Sequence, residues 1–164
     1  MLPTRRLAVV PLALLFGLVA AGVRSIPVTA QSTDIAVVVH PDVAVDNLAL
    51  TELRRMLLGD REFWPSGVRV TLLLRAPIAT ERDVAVRSVC EMTEAQFRQH
   101  WIAKVFRAET PNSPKIVYSG EMALDQASRV PGALTFVQAS TVGKGVKVLK
   151  IDGKLPGQAG YPLK

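Results

Sequence analysis

The chain has 164 residues, of which 20 are Lys or Arg and 14 are Asp or Glu, giving a net charge of +6 with one cysteine and 5% aromatic residues. This length suits one domain of ordinary size. Scattered basic residues and few aromatics argue against a nucleic-acid surface. A single cysteine excludes an internal disulfide, so the fold must rest on its hydrophobic core.

The start of the chain has the pattern of a secretory signal peptide. Arg5 and Arg6 give a positive start, residues 7–23 form an apolar run, and Val28 and Ala30 are small residues at the positions that signal peptidase recognises. We therefore expect cleavage after Ala30 and a periplasmic or otherwise exported protein, without a membrane span once the signal is removed. An uncleaved anchor is the alternative, because the apolar run approaches the length of a membrane-spanning helix.

Removal of this leader changes the charge of the protein. Three of the 20 basic residues and none of the 14 acidic residues lie in residues 1–30, so the rest carries 17 basic and 14 acidic residues and a net charge of +3. We expect residues 31–155 to form one domain. The Pro- and Gly-rich residues 156–164 are expected to be a loose tail.

The remaining sequence alternates between β-branched strands and amphipathic helices, as is typical of an α/β fold with some parallel pairing. The first strand is a continuous apolar run, which indicates burial. The predicted strands are residues 34–39, 68–74, 115–118, 133–137 and 146–151. The predicted helices are residues 50–58, 80–91, 93–107 and 119–129.

Several helix ends carry recognisable signals. Gly59 suits the left-handed position after the first helix, and Thr93 with Gln96 predicts a capping box. Thr80 with Asp83 predicts a weaker one. The third helix has an apolar side, and its residues are Phe97, Trp101, Ile102 and Val105.

Four segments together resemble one lobe of the phosphate-specific ABC-transporter substrate-binding proteins, which are type II periplasmic binding proteins. They are residues 37–67, 93–106, 131–140 and 145–153. The family's helix-and-loop pattern matches Asn47, Leu48, Leu50, Leu53, Met56, Leu57, Gly59 and Trp64. The resemblance implies an α/β fold, one lobe of that family's architecture, with a mixed sheet flanked by helices. Family members hold phosphate between two lobes, and this chain has room for one.

The resemblance also implies where an oxyanion would bind. The family has an Arg, three residues, then Ser-Gly-Thr at a helix start, where backbone N–H groups favour an anion. Here Arg75 is kept, while Ala79, Thr80 and Glu81 stand where Ser-Gly-Thr would be. Arg75 and Thr80 are therefore the candidate anion ligands, and Glu81 opposes a phosphate dianion. The simpler alternative is that Thr80, Glu81 and Asp83 only cap the helix.

Two functions stay open. The first is an exported solute-binding-like protein with an altered anion-binding motif, whose ligand is phosphate or another small oxyanion. The second is an envelope interaction or scaffold protein, whose partner is another protein or a second copy of the chain. No catalytic triad, paired carboxylates or metal cluster can be assembled from the sequence, so we expect neither an enzyme nor a cofactor. Cys90 is expected to lie in the core.

Overall fold

The computed structural model describes residues 33–110 and 113–164, so the predicted signal peptide lies outside the described residues. In chain order the elements are β1 (Ile35–Val39), β2 (Asn47–Leu48), α1 (Leu50–Leu57), β3 (Thr71–Arg75), α2 (Thr80–Val84), α3 (Glu94–Phe106), β4 (Lys115–Val117), α4 (Gly120–Arg129), β5 (Ala133–Gln138), β6 (Lys147–Val148) and β7 (Lys150–Ile151). A π-helical segment, Ala85–Val89, continues α2, and a short 3-10 turn, Ala139–Thr141, follows β5.

The main sheet is mixed and has the order β4-β3-β5-β1-β6. β3 is parallel to both β4 and β5, whereas β1 is antiparallel to β5 and β6. The predicted α/β class with a mixed sheet is therefore confirmed. A separate parallel pair joins β2 to β7.

Alternating side chains of the sheet supply two cores, because successive residues of a strand point to opposite faces. On one face, Val37, Leu74 and Phe136 pack with α1, the π-helical segment and α3. On the other face, Val38 and Leu73 pack with the small residues of α4, Ala123 and Ala127. The sheet is thus covered on both sides, as a parallel centre requires.

Most sequence-predicted elements are present, with bounds shifted by a few residues. Gly59 follows α1 in the left-handed region, at φ 71°, as expected. Thr93 and Gln96 form the predicted capping box of α3. The expected capping at Thr80 is wrong, because Ala79 is the N-cap residue of α2 and no side chain caps the helix.

Two further expectations are corrected by packing. The predicted last strand, residues 146–151, is two short strands in different sheets. β6 pairs with β1, β7 pairs with β2, and buried Leu149 lies between β6 and β7. The C-terminal tail is not loose at its end. Tyr161 and Leu163 are buried, the Tyr161 hydroxyl donates to the Ile35 carbonyl (2.7 Å), and the Ile35 N–H donates to the Leu163 carbonyl (2.9 Å).

No helix among residues 33–110 and 113–164 combines the length and the apolar character that crossing a membrane requires.

Candidate functional site

The carboxyl ends of three parallel strands meet at one edge of the sheet. Arg75 is the last residue of β3 and pairs with Val117 of β4, and Gln138 ends β5 on the other side. The N–H of Ala76 donates to the Val117 carbonyl (3.2 Å), which ties the start of the β3–α2 loop to β4. In open α/β sheets, ligands bind in the crevice outside this edge. Arg75 therefore lies where a ligand of this architecture would be held.

The Arg75 side chain is largely buried and has an unusual environment. It is 15% exposed, and its Nε lies 3.7 Å from Oε2 of Glu81, whose side chain is 11% exposed. Arg75 Nε and Nη1 are buried and have no hydrogen-bond partner among the described residues. The two residues thus form an ion pair by proximity, without a hydrogen bond, and the guanidinium keeps unused donors. A buried donor without a partner is costly and is satisfied when an acceptor arrives.

Thr80 lies beside this pair but is not part of it. It is the first residue of α2 and is exposed, whereas Glu81 and Arg82 of the same turn are buried. The N–H groups of Arg82 and Asp83 both donate to the Ala79 carbonyl, at 3.1 Å. The structure therefore brings Arg75 together with Glu81 and leaves Thr80 at the surface.

Sequence reasoning missed Arg82, which connects the backbone of Arg75 to the start of α3. Its Nε and Nη2 donate to the two carboxylate oxygens of Glu94 (2.9 and 2.7 Å), and its Nη1 donates to the Arg75 carbonyl (3.1 Å). The guanidinium also lies over the Phe97 ring, 5.7 Å from its centroid. This bidentate pair joins the start of α2 to the start of α3. No local pattern signals it, because Glu94 is twelve residues away in sequence.

The start of α4 lies at the same edge of the sheet as Arg75 and was not singled out by sequence reasoning. Ser119 caps this helix, and its Oγ accepts from the Met122 N–H (3.0 Å). Since Ser119 follows β4 by two residues, the parallel pairing of β4 with β3 brings it to the edge where Arg75 lies. A hydroxyl residue at a helix start directly after a strand is the signal that could have identified it.

The remaining candidates have structural roles. Cys90 is fully buried, and burial raises the pKa of its thiol to about 12, which keeps it protonated and unreactive. Trp64 is buried, and its indole N–H donates to the Gly132 carbonyl (3.0 Å). In the described part of the chain, no three His, Cys, Asp or Glu residues are grouped so that they could hold a metal ion.

Neither Arg75 nor Thr80 lines either of two grooves in the described part of the chain. One, of about 240 Å³, lies between Gly59, Thr71 and Lys115. The other, of about 490 Å³, lies between α3 and β4.

The fold is similar to one part of several solved structures. They include a substrate-binding protein of Clostridium perfringens with bound phosphate (TM-score 0.59, 19% identity), an ABC-type phosphate transport receptor of Vibrio cholerae (0.60, 17%) and PstS of Borrelia burgdorferi (0.63, 16%). The matches cover 75%, 75% and 79% of this chain but 46%, 48% and 53% of those proteins. The chain thus spans about half of their length, and the predicted single-lobe architecture is confirmed. No protein-family model matches the sequence, and no curated protein matches it significantly.

Proposed function

We propose that this chain, a single lobe with the fold of phosphate-binding proteins, is an exported solute-binding-like protein with an altered anion site. We propose further that it works by binding a partner protein rather than by holding free phosphate. The Arg75–Glu81 pair carries this proposal, with Nε and Oε2 3.7 Å apart. A carboxylate beside the only arginine of the motif neutralises the charge that would attract an oxyanion, and it repels a phosphate dianion.

Isothermal titration calorimetry of the protein lacking residues 1–30, with phosphate and with sulfate, tests this proposal. We expect no binding heat at millimolar ligand. A dissociation constant in the micromolar range would contradict the proposal, because a lobe that holds phosphate that tightly needs no partner.

Export is the second part of the proposal and has its own test. The charged start, the apolar run and the Val28–Ala30 pattern support cleavage after Ala30. Mass spectrometry of the protein from the periplasm or the medium should find Gln31 as its first residue. A full-length chain retained in the membrane would instead support the uncleaved anchor.

A second candidate function is an oxyanion site completed by another molecule. The buried and unpaired Nε and Nη1 atoms of Arg75 favour it, because they remain able to donate to an acceptor. The other half of such a site would come from a second copy or from another envelope protein. Light scattering with and without phosphate tests the first possibility, since a phosphate-dependent dimer would favour this candidate over partner binding without a solute.

A further inference from the structure

α3 carries an apolar stripe that the core does not cover. Phe97 and Trp101 are buried, but Ile102 and Val105 are about half-exposed and Phe106 is 90% exposed. The apolar side of α3 is therefore divided between the core and the surface. Ile102 and Val105 are three residues apart and form a second stripe next to the buried one.

This stripe faces the edge strand across a groove. Ile102, Val105, Phe106 and Ile116 line a groove of about 490 Å³ between α3 and β4, and Phe97 and Trp101 lie in its lining. We name it the α3–β4 groove. Soluble proteins rarely leave contiguous apolar surface of this kind exposed unless it binds something.

The charges around the groove indicate what would bind. Arg98 lines the groove, and Lys115 lines the smaller groove of about 240 Å³ next to it, which shares Trp101, Ser113 and Pro114 with the α3–β4 groove. Arg98 and Lys115 are exposed, and neither side chain makes an ion pair or hydrogen bond with the rest of the described chain.

No Asp or Glu is among the described residues that line the groove, and its other arginine, Arg82, is paired with Glu94. The unpaired charge at the groove is therefore positive.

Two occupants fit less well. A second copy docked by the same face would bring Arg98 and Lys115 of one molecule close to those of the other, and like charges oppose such a contact. An added β-strand would have only the three residues of β4 to pair with, and Pro114 and Lys115 protect that edge.

We propose that the α3–β4 groove binds an amphipathic helix of a partner protein, with apolar residues spaced for one helical face and Asp or Glu residues beside them. α3 has 13 residues, which span about 20 Å, so it can pack along three to four turns of such a helix. Phe106 and Ile102 supply the apolar contact, Arg98 selects the acidic flank, and Lys115 adds positive charge from the adjacent groove. This inference rests on the proposed partner-binding function and names the partner's chemistry.

Two synthetic peptides of about 16 residues test the groove, with identical leucines at helical spacing and either glutamates or lysines beside them. Fluorescence anisotropy with the protein lacking residues 1–30 should show the glutamate peptide binding about tenfold more tightly, since two exposed charge pairs change from attractive to repulsive. Arg98→Glu combined with Lys115→Glu should reverse the preference.

Two matched surface variants test whether the peptide binds in the α3–β4 groove. Phe106→Ser should weaken glutamate-peptide binding about fivefold or more. Ile78→Ser should leave it unchanged, since Ile78 is similarly exposed but lies outside the groove.

Equal binding of both peptides, or an equal loss of glutamate-peptide binding in both variants, would overturn the inference. So would a concentration-dependent dimer that Phe106→Ser abolishes, because the occupant would then be a second copy. Tight phosphate binding would instead contradict the proposed function, whatever the peptides do.

Discussion

Arg75 Nε and Glu81 Oε2 lie 3.7 Å apart across the turn that joins β3 to α2, and both side chains are largely buried. At this distance the charges attract without a hydrogen bond. Arg75 is thus engaged electrostatically while its Nε and Nη1 keep their donors unpaired.

Glu81→Gln should create oxyanion binding where the wild type has none. The substitution removes the negative charge that opposes an anion, and the unused Arg75 donors can then bind a phosphate or sulfate oxygen. We expect a dissociation constant on the order of millimolar by calorimetry. Asp83→Asn is the control, because Asp83 lies in the same short helix but pairs with exposed Arg87. Titrations of Glu81→Gln as flat as those of the wild type would show that this carboxylate is not what excludes the anion.

Arg82→Ala should destabilise the protein by about 3 kcal/mol, because it leaves Glu94 and the Arg75 carbonyl without their partner. Urea unfolding followed by circular dichroism measures the change. Arg87→Ala removes an ion pair to Asp83 that is mostly exposed, and it should cost less than about 0.5 kcal/mol. Similar losses in both variants would mean that Arg82 acts only as another surface charge.

Gly132→Ala tests a close approach of backbone to backbone. Gly132 has φ 75°, and an added Cβ would lie 2.2 Å from the Arg69 carbonyl oxygen. Gly67→Ala is the matched control, since Gly67 has φ 80° but open space around it. We expect Gly67→Ala to reduce the free energy of unfolding by about 1 kcal/mol, because its positive φ is unfavourable for alanine. Thermal unfolding should show a clearly larger loss for Gly132→Ala, and equal losses would exclude the steric contribution.

Leu163→Ala should reduce the free energy of unfolding by about 3 kcal/mol, although Leu163 is the penultimate residue. Its side chain is fully buried in the same core as Leu74 and Phe136. Removal of exposed Lys164 is the control and should change nothing measurable. If Leu163→Ala unfolds at the wild-type urea concentration, the tail does not contribute to stability in solution.

Cys90 should make the fold less stable at alkaline pH. Burial raises the pKa of its thiol to about 12 in the folded state, against about 8.5 in an unfolded chain. Its contribution is therefore fully present below about pH 8.5 and is lost as the pH rises toward 12, at up to about 1.4 kcal/mol for each pH unit.

Between pH 8 and 11, the free energy of unfolding measured in urea should fall less steeply for Cys90→Ala than for the wild type. Iodoacetamide at pH 8 should modify the thiol only after denaturation. Rapid modification of the native protein would contradict its burial.

Local sequence signals identified much of this fold. Thr93 and Gln96 predicted the start of α3, and Gly59 predicted the end of α1, because capping and left-handed glycines act within a few residues. The burial of β1 followed from its unbroken apolar run. The single-lobe architecture followed from the order of segments that resemble a known family, which the solved structures support.

The candidate site was only partly predictable. The family motif predicted Arg75 and Thr80 as anion ligands and Glu81 as a residue that opposes an anion, and these roles stay predictions. The fold places Arg75 beside Glu81 and leaves Thr80 at the surface. Arg82 and its pair with Glu94 gave no sequence signal, because a partly buried ion pair between two helices depends on how the helices meet.

What the sequence alone determined is therefore local: which segments form strands and helices, where several of them end, and which residues stand in the anion motif. Only the tertiary structure decided which charges meet and which apolar residues stay uncovered. Arg75 faces Glu81, Leu163 enters the core, and Phe106 remains exposed. The physical reason is that propensity and capping act along the chain, whereas burial and charge pairing depend on contacts between segments far apart in sequence.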